Sequence, residues 1–155
     1  MADVKDLEPY AGNAEGLTAV LTDIFSTMPN PIVFKVVGYK VNAFENVTQG
    51  DALYSRASDG QVGKASAADG TIENATVVGF ANATVSANDT VKVVVTGLKT
   101  LSSLNAGDLF FLSDSTAGGI TATPPSGAGK AVTRVGEAST VNDLAIHIEP
   151  PILLR

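Results

Sequence analysis

Two stretches of this chain carry nearly the same sequence, and this repeat limits the folds that the chain can adopt. The segment 47–54, Val-Thr-Gln-Gly-Asp-Ala-Leu-Tyr, returns 57 residues later as the segment 104–111, Leu-Asn-Ala-Gly-Asp-Leu-Phe-Phe. The segment 76–81 returns at the same offset as the segment 133–138. Solenoid repeats are shorter, about 20 to 50 residues, and occur in many copies. Two copies at this spacing therefore predict a duplicated β-unit within one domain.

Length and composition exclude several classes of protein. A chain of 155 residues can bury the core of one ordinary domain. It has no cysteine, which excludes disulfides, thiol catalysis and thiolate metal sites. No apolar run reaches the roughly 20 residues of a membrane span, and the first residues lack the basic-then-apolar plan of a signal peptide. We therefore expect a soluble protein that stays in the compartment where it is made.

Charge divides the sequence into two parts. The net charge of −6 argues against nucleic acid or an anionic membrane as a partner. The first 30 residues hold five acids against Lys5 alone: Asp3, Asp6, Glu8, Glu15 and Asp23. An acidic leader before a nearly neutral body predicts an N-terminal arm over residues 1–31 and a β domain over residues 32–155.

The leader contains the pattern of an amphipathic helix. Asn13 is a suitable N-cap, Glu15 falls in the first turn, and the prolines at 29 and 31 end the pattern. Apolar residues recur with helical spacing at Leu17, Val20, Leu21, Ile24 and Phe25. This stripe either packs on the parent domain or lies against a neighbouring subunit, so its residues are candidates for an assembly interface.

The body has the pattern of an all-β fold. The segment 32–41 is rich in β-branched and aromatic residues and predicts one strand. Short strands separated by Gly, Asp, Asn and Pro turns follow, within repeats at about 47–95 and 104–150. This punctuation favours a β-sandwich or β-barrel built on a duplicated motif. The two Gly-Asp pairs, Gly50-Asp51 and Gly107-Asp108, are interpreted as turns rather than as a catalytic pair.

The last strand of each copy raises a question of register. An offset of 54 aligns the Asn-Asp pairs at 88 and 142 but exchanges the apolar and polar faces of the strand. An offset of 55 places Val91 opposite Ile146 and Lys92 opposite His147, so that inward residues stay inward. Because a slip of one residue turns a strand inside out, we expect the offset of 55 and a shortening of two residues in copy 2.

Few residues suit catalysis or cofactor binding. His147 is the one histidine, and alternation places it on the polar face of its strand. The segment 124–131 lacks the Gly and Ser/Thr of a phosphate-binding loop, so it is interpreted as a turn. The aspartates do not have the spacing of a calcium loop, although a cation between loops stays open. The sequence therefore predicts no catalytic residue, no cofactor and no metal ligand.

The C-terminal segment is unusual. Pro150 and Pro151 predict an extended stretch, and three large aliphatic residues follow them: Ile152, Leu153 and Leu154. Chain ends are usually poorly ordered, so exposed aliphatic residues there need a cover. Either they close the parent β domain or they form a contact in an assembly, and they join the leader stripe as candidate interface residues.

The second copy resembles a known family. The runs 104–113 (Leu-Asn-Ala-Gly-Asp-Leu-Phe-Phe-Leu-Ser), 118–125 (Gly-Gly-Ile-Thr-Ala-Thr-Pro-Pro) and 130–138 (Lys-Ala-Val-Thr-Arg-Val-Gly-Glu-Ala) resemble the head decoration, or capsid cement, proteins of tailed bacteriophages. Related segments occur in phage tail-fibre proteins. The resemblance spans about residues 42–150, and it implies a small, β-tulip-like, all-β protein without catalytic residues.

Three classes of function follow from the residues and the resemblance. The resemblance implies a virion protein, made in the bacterial cytoplasm, that trimerises and binds the major capsid protein on the outer surface of the head. The binding-module alternative is a tail-associated or receptor-binding domain that recognises host glycans. The enzyme alternative is a glycosidase that uses Asp59 and Asp114, and the sequence disfavours it.

Overall fold

The structure, a computed structural model, describes residues 37–155 as part of one compact unit, Phe34–Arg155. The predicted leader helix and the first residues of the predicted strand 32–41 lie outside the described residues. In chain order the elements are β1 (Val37–Asn42), β2 (Ala52–Ser55), β3 (Val62–Lys64), α1 (Ile72–Ala75), β4 (Val77–Ala81), β5 (Thr90–Thr100), β6 (Leu109–Leu112), β7 (Ile120–Thr121), β8 (Ala131–Val132), β9 (Arg134–Ala138), β10 (Asp143–Ile146) and β11 (Ile152–Leu153).

The strands form a curled antiparallel sheet, a half-barrel, and the prediction of an all-β fold is confirmed. The sheet runs in the order β3-β2-β4-β5-β10-β9-β6-β7, and β1 pairs with β5 as well. A small separate sheet consists of β8 and β11. The strand order consists of two similar halves, which meet where β5 pairs with β10.

The two halves reproduce the sequence repeat strand by strand. At the offset of 57, β2 corresponds to β6 and β4 to β9, residue for residue. The pairing irregularity is repeated as well, because the register shifts between Leu53 and Tyr54 in one copy and between Phe110 and Phe111 in the other. The duplicated β-unit predicted from the sequence is therefore a duplicated structure.

The repeated glycines are required by close backbone approach and by turns. A Cβ on Gly79 would lie 2.5 Å from the Val94 carbonyl oxygen, and one on Gly136 would lie 2.3 Å from that of Ala145. The turn glycine at position 50 has φ +95° and its counterpart at 107 has φ +89°, which favours glycine over other residues. Both pairs of glycines thus match because the backbone geometry is repeated.

The predicted register of the last strand is wrong. Ala81 pairs with Val93 in copy 1, and its counterpart Ala138 pairs with Leu144 in copy 2, so the true offset is 51 rather than 55. His147 therefore corresponds to Thr96 and not to Lys92. The connection after β4 is six residues longer than the connection after β9. Offsets of 51 and 55 differ by an even number, so the alternation of faces could not distinguish them.

The two copies pack in an unsymmetrical way. We define face A as the side of the sheet that carries Ala52, Val77 and Phe80 in copy 1, and face B as the opposite side. Face A of copy 1 and face B of copy 2 pack together in one shared core. The residues of face B of copy 2 that are buried in this core are Phe110, Leu112, Val135, Ala138 and Leu144. The copies are therefore stacked head to tail, as in a heterologous contact.

Face B of copy 1 is buried in a second core that copy 2 lacks. Leu53, Ala81 and Val93 pack there with Ala43, Val47 and Val62. The longer connection after β4 contributes Val85, and the backbones of Val47 and Val85 exchange hydrogen bonds of 3.1 and 3.0 Å. The six extra residues of copy 1 therefore belong to the connection that covers this face.

Face A of copy 2 is left at the surface. Glu137 stands where copy 1 has the buried Phe80, and Arg134 stands where copy 1 has Val77. Leu109, the counterpart of Ala52, is 41% exposed. The sequence thus marks the free face with charges at positions that are apolar in the buried one.

We predict a large loss of stability when copy 1 receives the residue of copy 2, and almost no change in the reverse exchange. Phe80→Glu should lower the free energy of unfolding by at least about 3 kcal/mol, because it removes a buried ring and buries an unpaired carboxylate. Glu137→Phe, the matched control on the exposed face, should change stability by about 0.5 kcal/mol or less. Urea unfolding followed by circular dichroism measures both. Similar losses in the two variants would contradict the head-to-tail packing.

Candidate assembly surface

The C-terminal segment is fixed to the domain through its backbone. β11 pairs antiparallel with β8, with Ile152 opposite Val132 and Leu153 opposite Ala131. The Leu154 N–H donates to the Lys130 carbonyl over 2.8 Å. The sequence left open whether this segment closes the domain or forms an assembly contact, and the structure shows that its main chain closes the small sheet.

The side chains of this segment are nevertheless exposed. Ile152 is 65% exposed and Leu153 is 38% exposed, whereas Leu154 is half-buried. We name Ile152 and Leu153 the C-terminal knob. The other predicted interface residues, Leu17, Val20, Leu21, Ile24 and Phe25, lie outside the described residues, so their role stays a prediction.

The loop before β8 holds the knob in place. This loop makes up most of the segment 124–131, for which the sequence predicts a turn, and its glycines at 127 and 129 have φ +101° and +80°, which confirms the turn. The Gly129 N–H donates to the Leu154 carbonyl over 2.9 Å. Lys130 forms an ion pair with Asp114, and the hydrogen bond from the lysine lowers the pKa of that carboxyl group. The loop is therefore a structural support for the tail.

An apolar groove of about 470 Å³ lies beside the tail. We name it the α1 groove, and its lining residues come from α1, β4 and the segment before the knob: Ile72, Thr76, Val77, Ile148, Glu149, Pro150 and Pro151. Ile72 is 48% exposed and Val77 is buried. The groove therefore joins the outer surface to the edge of the shared core.

Hydrogen bonds from both copies fix the position of α1. The Thr133 hydroxyl, which is buried, donates to the Ala75 carbonyl over 2.8 Å. Before the helix, the Asp69 carboxylate accepts the Thr71 N–H over 3.0 Å and the Asn74 amide over 2.7 Å. The Thr71 hydrogen bond is the main cause that lowers the pKa of Asp69. Ile72 is thus presented by a short helix that copy 2 anchors.

Charges surround one side of the groove. The Arg134 guanidinium contacts the Glu149 carboxylate at 3.0 Å and the Glu137 carboxylate at 3.8 Å. His147, which is exposed as predicted, lies 3.6 Å from Glu149. These residues form a surface network on face A of copy 2, and exposed pairs of this kind contribute little to stability, about 0 to 1 kcal/mol each.

The aspartates that could have suggested catalysis have structural contacts. Asp51 accepts the Thr48 N–H over 2.8 Å, which confirms the turn interpretation of the first Gly-Asp pair. Asp59 is paired with Arg56, and the hydrogen bond from the guanidinium lowers the pKa of Asp59. Asp114, the other carboxylate of the glycosidase alternative, is held separately by its lysine. Each of the two thus has its own basic partner.

The sequence did not exclude a cation bound between loops, and the described part of the chain has no cluster of ligands for one. Within residues 37–155, no group of three or more histidine or carboxylate side chains is placed to hold a metal ion. The same residues contain no helix with the length and hydrophobicity that a membrane-spanning helix needs.

Sequence reasoning missed one residue with an unusual environment. Lys99 on β5 is only 5% exposed, and it lies opposite Leu144 at the edge of the shared core. Burial lowers the pKa of its ammonium group. The signal was present in the sequence, because Lys99 is separated from Val91 and Val93 by even numbers of residues and so shares their face in a regular strand.

We predict that Lys99→Met raises the free energy of unfolding at pH 7 by about 1 kcal/mol, because it removes the cost of burying a charge. A lysine pKa that is lowered by folding makes stability rise as the pH increases from that lowered value to about 10.4, and this rise should disappear in the variant. Lys92→Met, at an exposed position of the same strand, is the control. Denaturant titrations between pH 7 and 10.5 measure both effects. A loss of stability in Lys99→Met would contradict the prediction.

Comparison with known proteins adds no assignment to this geometry. No protein-family model matches the chain, and no curated protein matches it at a significant level. The knob, the groove and the charged face therefore have to be interpreted from their own contacts.

Proposed function

We propose that this chain is a structural virion protein that binds the outer surface of a phage capsid as a homotrimer and stabilises the shell. The observation that carries the proposal is the C-terminal knob. Its backbone is tied to β8, yet Ile152 and Leu153 present their side chains to solvent. Large aliphatic side chains that are fixed in exposed positions favour an interaction surface. The resemblance of residues 42–150 to capsid cement proteins supports the same function.

The distribution of polar contacts agrees with a scaffold role. In the described part of the chain, carboxylates with lowered pKa values are those that close turns or hold loops, such as Asp59, Asp69 and Asp114. Their hydrogen-bond partners are backbone amides, the Asn74 side-chain amide or single basic residues, which is the pattern of turn stabilisation. The proposal accordingly assigns no reaction to the chain.

Cementing has a simple physical basis. A protein that binds the assembled shell, but not its separated subunits, adds its binding free energy to the assembled state. Three linked copies on a threefold position strengthen this effect, because each contact raises the effective concentration of the others. The partner in this proposal is the major capsid protein, and the location is the capsid surface. A role for the acidic leader as an attachment arm stays part of the proposal.

The alternative, recognition of host glycans, has one observation in its favour. A polar cleft of about 330 Å³ lies between the segments 46–48 and 84–86. Two of its polar side chains are already engaged, since Asn46 accepts the Ala87 N–H over 2.9 Å and Thr84 accepts the Gln49 N–H over 3.0 Å. Thr48, Ser86 and Asp89 also line the cleft and could contact a ligand. We rank this function second because the resemblance of residues 42–150 favours capsid decoration.

We predict that the purified protein co-sediments with expanded, DNA-free heads of its phage, and that Ile152→Asp weakens this association at least tenfold. Val141→Asp is the matched control, because Val141 is 58% exposed but belongs neither to the knob nor to the lining of the groove. Binding isotherms from sedimentation measure the difference. Binding to host cells or polysaccharide but not to heads would overturn the proposal and favour the glycan alternative.

Stabilisation of the shell is a separate expectation. Heads that lack the protein should release their DNA at a lower temperature than complete heads, because the binding free energy no longer supports the assembled lattice. Adding the purified protein back should restore the higher temperature. Equal release temperatures in the two preparations would mean that the protein decorates the head without cementing it.

A further inference from the structure

The largest exposed apolar side chains near the C-terminus belong to two neighbouring features. Ile152 and Leu153 form the knob, and Ile72 lies in the α1 groove beside Pro150 and Pro151. The knob follows directly after the prolines that line the groove. One surface of the molecule thus carries both a projecting aliphatic feature and an apolar depression.

The knob residues do not line the groove of their own chain. Residues 152 and 153 pair with β8, and the Leu154 N–H and carbonyl are both bonded to the loop at Gly129 and Lys130. The prolines restrict the backbone that leads into this pairing. Ile152 is 65% exposed and does not line the groove of its own chain.

We propose that the knob of one copy docks in the α1 groove of a second copy. This inference rests on the homotrimer of the proposed function and names the surface through which its subunits meet. The groove volume of about 470 Å³ is large enough for the side chains of both knob residues. Because the backbone pairing already orders the knob, little conformational entropy is lost on docking.

Charge favours the same pairing. Arg155 is exposed and comes two residues after Leu153, and it has no ion-pair partner among residues 37–155. On the groove side, Glu149 is part of the lining but is already paired with Arg134, whereas Glu73 follows Ile72 on α1. Glu73 accepts the Ala57 N–H over 2.7 Å through one oxygen, which leaves the other oxygen available. A docked knob would bring a guanidinium to a groove that is flanked by carboxylates.

The contact is heterologous, because the knob and the groove are different surfaces of the chain. A heterologous contact repeats from copy to copy and ends only when the rotation closes a ring. In a closed ring of three copies, every knob is docked and every groove is occupied. The apolar residues would form the centre of each contact, and the charged residues would form its rim.

Cysteine cross-linking tests the contact directly, since the native chain has no cysteine. The variants Ile72→Cys and Ile152→Cys are co-expressed as chains of different size, oxidised and separated without reductant. We expect a mixed band of one long and one short chain. Val141→Cys co-expressed with Ile152→Cys is the matched control and should give no mixed band. Strong cross-linking of Ile152→Cys with itself would overturn the proposal, because it indicates a symmetric tail-to-tail contact.

Complementation gives a second test that does not depend on disulfide geometry. Ile72→Asp places a charge in the groove and leaves the knob intact, whereas Ile152→Asp places a charge on the knob and leaves the groove intact. Each variant alone should therefore dissociate to monomers. Each should weaken association at least tenfold in light scattering. An equimolar mixture retains one intact groove and one intact knob and should form a 1:1 dimer. A mixture that stays monomeric would contradict the heterologous contact.

The outcomes separate this inference from the proposed function. If the native chain is an oligomer in light scattering but gives neither the mixed band nor the 1:1 dimer, the knob-and-groove contact is wrong and the trimer stands. If the native chain is a monomer at micromolar concentration, both the contact and the proposed homotrimer fail. Head binding by a monomer would still support decoration of the capsid.

Discussion

The structure depends on one packing contact, the burial of face A of copy 1 against face B of copy 2. Phe80 from the first copy and Leu112 and Leu144 from the second are fully buried in this shared core. Apolar burial of this kind is the main favourable contribution to folding. The anchoring of α1 by Thr133, and hence the position of the groove, follows from the same contact.

Head-to-tail stacking of two similar units leaves two free faces, and these two faces differ in their residues and in their exposure. Face B of copy 1 is covered by Val47 and by Val85 from the longer connection, which forms a second core. Face A of copy 2 carries Arg134 and Glu137 where copy 1 has Val77 and Phe80, and it stays at the surface. One end of the stack is therefore covered by apolar packing, and the other end exposes charged side chains to solvent. The C-terminal strand β11 is a further addition. Its partner β8 has no strand counterpart in copy 1, because residues 131–132 correspond to residues 74–75 of α1 at the offset of 57.

The sequence predicted the architecture where the two copies share backbone constraints. Gly79 and Gly136 match because each lies against a carbonyl oxygen of the neighbouring strand, and the offset of 57 located β2, β4, β6 and β9. The prediction from the sequence failed where the copies differ in length. An even change in a connection leaves the alternation of a strand intact, so the offset of 51 could not be told from 55. The position of Ile72 could not be predicted either, because it depends on a tertiary hydrogen bond from the other copy.

The shared core is tested most directly by amide hydrogen exchange at two equivalent positions. The Ala81 N–H donates to the Asp51 carbonyl and the Ala138 N–H donates to the Asp108 carbonyl, each over 2.9 Å. If the copies unfold as one cooperative body, both amides exchange only through global unfolding and report the same opening free energy, with the same dependence on denaturant. Opening free energies that differ by more than about 1 kcal/mol would show that the copies open separately, and would contradict a single shared core.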